Sequence, residues 1–253
     1  MLRHPLQRWD VATAARVHHF VAISRHVAGR VRRYYGREAS VIYPPVDTSR
    51  FRIGQERGDF YLVVSAFAPY KRLDLAIEAC NLLRRPLKIV GSGQDEQKLR
   101  ALAGPTVEFL GPRSDEDIAS LYPRCRALLF PGVEDFGITP LEAMASGRPV
   151  IAYGRGGACE TVIPLQTPTD TGATVADDED GRGTTSRAPT GILFAEQTVE
   201  SLMAAMAKFE ANSMSFEPKA LRDHALGFDR TVFKGRVASF VAERWAEHVK
   251  ARG

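Results

Sequence analysis

From residue 60 onward, six short runs rich in β-branched and apolar residues alternate with longer stretches of helical periodicity. The runs are FYLVVSA (60–66), PLKIV (86–90), TVEFL (106–110), RALLF (126–130), PVIAY (149–153) and GILF (191–194). Between them lie RLDLAIEACNLL, QDEQKLRALA, SDEDIASLY, PLEAMASG and a short ACETVI. Few folds accommodate that order. Strands that read as near-continuous apolar runs are buried on both faces, and strands separated by helices pair in parallel, so the pattern predicts an α/β domain with a Rossmann-like, doubly wound parallel sheet. It spans residues 54–228.

The first fifty-three residues are organised differently. They read as a helix (QRWDVATAARV), a strand (HHFVAIS), a helix capped by Ser24 and stopped near Gly36, and a strand ASVIY running into PPVD. So few strands make no independent core, and residues 1–53 are read as the remnant of a preceding α/β domain plus linker, with Pro44 and Pro45 stiffening the junction. After the last strand come helices EQTVESLMAAMAKFE and PKALRDHAL and a C-terminal helix over 229–253. The segment 166–190, rich in Thr, Asp and Gly, reads as a mobile surface insertion, and its acidic run Asp178–Asp180 as solvated charge rather than a metal site.

Composition matters mainly for what it removes. No apolar run approaches the ~18 residues of a membrane span, and the first ten residues lack a signal-peptide core, so a cytoplasmic chain is expected. Cys80, Cys125 and Cys159 have neither zinc nor redox spacing and read as reduced core thiols. Residues 1–53 carry ten arginines against Asp10, Glu38 and Asp47. That excess fits a solvated helix face, an acidic partner or an anionic membrane surface. No nucleic-acid reader motif accompanies it.

The stretch EDFGITPLE, Glu134 to Glu142, carries the chemistry. Thr139, Pro140 and Glu142 fit a capping box, with Glu142 reaching back to the cap amide, and a ligand role for Glu142 stays open beside that reading. Glu134 lies on the loop leaving the fourth strand, at the sheet edge where open α/β folds bind ligands. The amides from Gly137 through Ile138 and Thr139 to Leu141, beside Phe136, suit a phosphate. A diphosphate over amides with a carboxylate on either side to accept hydroxyl hydrogen bonds describes a nucleoside-diphosphate sugar. Other loops at that edge agree: Lys71 and Arg72, at the start of the helix after the first strand, offer cations, Gly91 and Gly93 permit close backbone approach, and Pro112 and Arg113 fall near a base.

Taken together, YPPVD, PYKRLD, VGSG, FLG, EDFGITPLEAMASGRPVIAY and GRGGACETV resemble the C-terminal half of a retaining glycosyltransferase of the family 4 type, with the two-domain GT-B architecture. The likeness runs from about residue 18 to the end. It implies that Glu134 lies beside the donor sugar's hydroxyls, that Glu142 binds the ribose and that Lys71 binds the diphosphate. Glu134 and Lys71 are thus the expected catalytic residues. It implies hexosyl transfer from GDP-mannose or a UDP-hexose to a glycan or lipid-linked acceptor, with no metal or other cofactor. Mannosyl transfer in surface polysaccharide assembly is the nearest pattern. Three departures stand out. Ser65-Ala66 replaces a Gly-Arg, leaving Arg72 to compensate; the 166–190 insertion is long; and most of the acceptor-binding N-terminal domain is missing, so a separate partner would have to supply it.

Overall fold

The computed structural model describes residues 3–54, 58–166 and 188–252. The insertion read over 166–190, including Asp178–Asp180, lies almost wholly outside the described residues. The chain divides into two units, Met1–Pro45 with Phe228–Gly253, and Val46–Gly227. Sequence reading draws its first boundary at 53/54. The division falls at 45/46 because Val46, Thr48 and Phe51 are buried and Arg222, within the second unit, holds the carbonyls of Thr48 and Phe51.

In the first unit, α1 (Arg3–Ala14), β1 (Phe20–Ala22), α2 (Arg25–Tyr35) and β2 (Ala39–Val41) follow one another, and β1 pairs with β2 in parallel. Ser24 caps α2 by accepting from the Val27 amide, and Gly36 closes it in the left-handed conformation at φ 62°. The last helix, α10 (Arg230–Lys250), belongs to the same unit.

The second unit holds β3 (Tyr61–Val64), α3 (Leu73–Leu83), β4 (Leu87–Val90), α4 (Glu96–Leu102), β5 (Val107–Gly111), α5 (Asp115–Leu121), β6 (Leu128–Phe130), α6 (Ile138–Ala145), β7 (Val150–Tyr153), α7 (Ala158–Thr161), β8 (Gly191–Phe194), α8 (Val199–Ala211) and α9 (Pro218–Leu226). All six expected strands are present. They form one parallel sheet ordered β5-β4-β3-β6-β7-β8. The chain winds outward from β3 to β5, then returns beside β3 at β6 and winds the other way. β3 and β6 therefore flank a topological switch point, where the loops at the strands' carboxyl ends diverge and leave a crevice. The core lies around these central strands: Tyr61, Leu62, Leu128, Leu129, Val150 and Ile151 are at most 1% exposed.

Three helix starts differ from expectation. α6 begins at Ile138 with Gly137 as its cap at φ 87°, so Thr139 is not the N-cap and the capping box does not form. A glycine accepts this backbone without cost where threonine would be strained, so the helix starts two residues early. α8 begins at Val199 because the Thr198 side chain caps it by accepting from the Ser201 amide, leaving Glu196 and Gln197 in the preceding loop. Lys71 ends a 3-10 turn, Pro69–Lys71, and Arg72 is the residue before α3, both just ahead of the helix rather than in it. A further correction concerns the thiols: Cys80 and Cys125 are buried, but Cys159 is exposed.

Candidate functional site

Five loops at the carboxyl edge of the sheet are fastened to one another, four through backbone and the fifth through a side chain. Gly91 and Gly93, after β4, lie against the loop leaving β3; a Cβ at Gly91 would sit 1.9 Å from the Ser65 carbonyl oxygen, and one at Gly93 2.6 Å from that of Phe67. Gly132, after β6, also comes close to the Lys71 backbone, with 2.8 Å from a Cβ to Lys71 Cα. The Gly157 amide, after β7, donates to the Glu134 carbonyl at 2.8 Å. Gln197, after β8, donates through Nε2 to the Pro131 carbonyl at 2.8 Å. The glycines expected to approach a ligand thus also bring the loops together.

This fastening places Lys71 and Glu134 against each other across the switch point. The Lys71 ammonium donates to Glu134 Oε1, with side chains 14% and 23% exposed. Partial burial draws the Lys71 pKa below the ordinary lysine value, while the touching carboxylate favours the charged form. The cation also lies 4.9 Å from the centre of the exposed Tyr70 ring. Three positions after Glu134 in the chain, the amides of Gly137, Ile138 and Thr139 occupy the part of α6 that has no intrahelical acceptor, whereas Leu141 falls within reach of the Gly137 carbonyl. Cation, carboxylate and amides together offer groups suited to a diphosphate and to hydroxyls.

Glu142 is the one ionisable residue of α6, in which Pro140, Leu141, Ala143, Met144 and Ala145 are all buried. A carboxylate in such a helix needs a partner. Tyr122 supplies it, its hydroxyl donating to Glu142 Oε2 at 2.7 Å. Burial raises the Glu142 pKa above the ordinary glutamate value, opposed by the Tyr122 hydrogen bond and by the Arg50 charge. The Tyr122 phenol, wholly buried beside that carboxylate, is pushed far above the tyrosine range and stays a donor.

The remaining expected residues are less convergent. Arg72 is engaged with Asp74 through three contacts of 3.0–3.2 Å, and its NH1 donates to the Gln197 carbonyl at 3.5 Å. Pro112 and Arg113 are exposed on the loop after β5, Phe136 is buried, and Ile138 and Thr139 are exposed and half-buried at the start of α6. Two members of the constellation escape sequence reading. Tyr122 stands twenty positions before Glu142 with no motif linking them, and Gln197 is masked by the helical periodicity that runs through it.

A six-stranded parallel sheet wound both ways from a central switch point defines a Rossmann-type α/β domain. A family model described as glycosyl transferases group 1 matches residues 46–224. The chain belongs to that family, and its second unit is the C-terminal Rossmann domain of the GT-B fold of family 4. It is 39% identical over 101 residues to the O-antigen chain mannosyltransferase C of Escherichia coli, covering 37% of this chain and 27% of that protein. It is 31% identical over 150 residues to an uncharacterized glycosyltransferase of Methanocaldococcus jannaschii, covering 56% and 42%. The matches span less than half the length of these curated relatives. Among solved structures it resembles Anabaena HepE in complex with UDP-glucose, at a TM-score of 0.74 and 19% identity over 94% of this chain and 67% of that one. It also resembles the sucrose-phosphate synthase of Thermosynechococcus elongatus, at 0.71 and 21% over 90% and 58%. At these identities the structures speak for the fold. No helix among the described residues is long and apolar enough to cross a membrane.

Proposed function

We propose that this chain binds a nucleoside-diphosphate hexose and serves retaining transfer of the hexose to a glycan or lipid-linked acceptor. The observation that carries the reading is the meeting of Lys71 and Glu134 across the β3/β6 switch point, on the loop that leads into the free amides at the start of α6. Lys71 and those amides stabilise the charge that develops on the leaving diphosphate. The leaving phosphate takes the acceptor's proton as the acceptor oxygen attacks the same face of the sugar. Glu134 orients the sugar hydroxyls and offsets positive character at its ring, and Glu142 accepts from the ribose. Arg72 turns from Asp74 toward the phosphates, Gly91 and Gly93 admit them closely, and the backbone around Pro112 and Arg113 meets the base. Relatives named as O-antigen mannosyltransferases and as a D-rhamnosyltransferase favour a mannose-type donor, whereas HepE was solved with UDP-glucose.

A second reading is supported by the first unit: a two-stranded sheet is too small to build an acceptor domain. On that reading the chain binds the donor and transfers only with a separate domain. Incubation with GDP-mannose or UDP-glucose and a polyprenyl-linked sugar acceptor separates the two. Release of nucleoside diphosphate that depends on acceptor supports transfer by the chain itself, and saturable binding without release supports the second reading. Binding of neither donor contradicts both. The arginine excess of residues 1–53 fits an anionic surface carrying such an acceptor. Flotation with phosphatidylglycerol vesicles at low salt tests that contact, and recovery of all the protein in the lipid-free fraction contradicts it.

A further inference from the structure

We infer that Tyr122 is a positioning residue for nucleotide binding: its buried hydroxyl fixes one oxygen of Glu142 so that the other is presented to the ribose hydroxyls. The inference rests on the reading of Glu142 as the ribose-binding carboxylate, and its test keeps the two apart.

The geometry is asymmetric. Tyr122 donates to Glu142 Oε2 at 2.7 Å, while Oε1 receives no hydrogen bond from the described residues and is not among the sealed, unpartnered polar atoms. One oxygen is held and the other meets solvent. The phenol is itself immobilised: Tyr122 is 0% exposed and meets the edge of Phe51 at a centroid distance of 5.8 Å. It opens the 3-10 turn Tyr122–Arg124, whose Pro123 carbonyl accepts from buried Arg148 Nε at 2.8 Å. Phe51 is anchored in turn, its carbonyl accepting from Arg222 at 2.7 Å. A glutamate side chain ordered before the ligand arrives loses less rotamer freedom on binding. The charged groups facing Glu142 are Arg50, from the turn Thr48–Arg50, and Asp115, at the start of α5; they oppose each other in their effect on its ionisation.

The test is calorimetric titration of the full chain with UDP and GDP from pH 5 to 8, for wild type, Tyr122→Phe and Glu142→Gln. Phenylalanine keeps the ring against Phe51 and removes only the donor. Affinity of Tyr122→Phe is expected to fall about tenfold at neutral pH, the scale of one hydrogen bond to a charged group. Without that bond the Glu142 carboxylate is less stabilised. The ratio of variant to wild-type affinity, in which the nucleotide's own titration cancels, therefore falls further as the solution is acidified. A uniform loss at every pH, or no loss, overturns the inference by leaving Tyr122 a packing residue. No loss in Glu142→Gln, or no binding by wild type, instead overturns the reading of Glu142. Should Tyr122→Phe fail to fold, Glu142→Asp draws the carboxylate one methylene away from the phenol, and the same acid-side loss is expected of it. An unchanged profile in that variant counts against the inference.

Discussion

Replacing Gly157 by alanine tests whether the loops of the site are held by backbone contact. The residue has φ −64°, a conformation alanine adopts freely, so any cost is steric. A Cβ there would lie 2.2 Å from Phe136 Cα, 2.4 Å from its carbonyl oxygen and 2.6 Å from its carbonyl carbon. Ordinary contacts of a Cβ begin near about 3.4 Å, and none of these three atoms can rotate away, so the loop after β7 must retreat from the loop after β6 by about an ångström. The retreat breaks the Gly157 amide's bond to the Glu134 carbonyl, worth about 1 kcal/mol, and the overpacking adds about 1–3 kcal/mol. The expected destabilisation is ~2–4 kcal/mol in equilibrium urea unfolding. Because Glu134 moves with its loop, donor turnover should fall about a hundredfold. Gly235, inside α10 with nothing within 4 Å of its added Cβ, provides the contrast: alanine there should raise stability by up to about 1 kcal/mol. A Gly157→Ala chain that unfolds and binds like wild type would refute the reasoning.

Other consequences follow from buried partners. Arg222 donates to the carbonyls of Phe51 at 2.7 Å and Ala145 at 2.6 Å, so Arg222→Ala should cost about 3 kcal/mol in urea unfolding, and a change under about 1 kcal/mol would show that water replaces the guanidinium. The raised Glu142 pKa means that the folded state holds that proton more tightly than the unfolded chain. Glu142 therefore costs stability as pH rises from the ordinary glutamate range through its raised value. Glu142→Gln should be more stable than wild type above that range and bind nucleotide more weakly, and thermal unfolding at pH 4 and 7 checks the sign. Burial pushes the Cys80 thiol up to about 12, and Cys125 is also buried. A chromogenic disulfide reagent should titrate one thiol in the native chain and all three in denaturant.

Much of the second unit was legible in its residues because parallel strands buried on both faces announce themselves as apolar runs. The runs at 60–66 and 126–130 also put Lys71 and Glu134 on loops at the ligand-binding edge of the sheet, whereas the pairing of β3 with β6, and hence the switch point between them, emerged only from the fold. The start of α6 was not legible. Threonine, proline and glutamate in capping-box order compete with a glycine two residues earlier, and the glycine takes the cap because it alone tolerates φ 87°. Once the helix begins at Ile138, Glu142 lies past its first turn and cannot reach the cap amide. Its partner then comes from Tyr122, a contact made by packing and not by any sequence interval. The same limit applies to Gln197, whose role depends on Thr198 capping α8 after it.

The central claim is that one half-site at the β3/β6 switch point binds a nucleoside diphosphate through Lys71 and Glu142. Calorimetric titration of the chain with UDP and with GDP, beside Lys71→Ala and Glu142→Ala variants of unchanged fold, tests it most directly. The account predicts saturable binding of one nucleotide that weakens about tenfold or more in each variant. A folded chain that binds neither nucleotide, or binds one equally well after both substitutions, would contradict it.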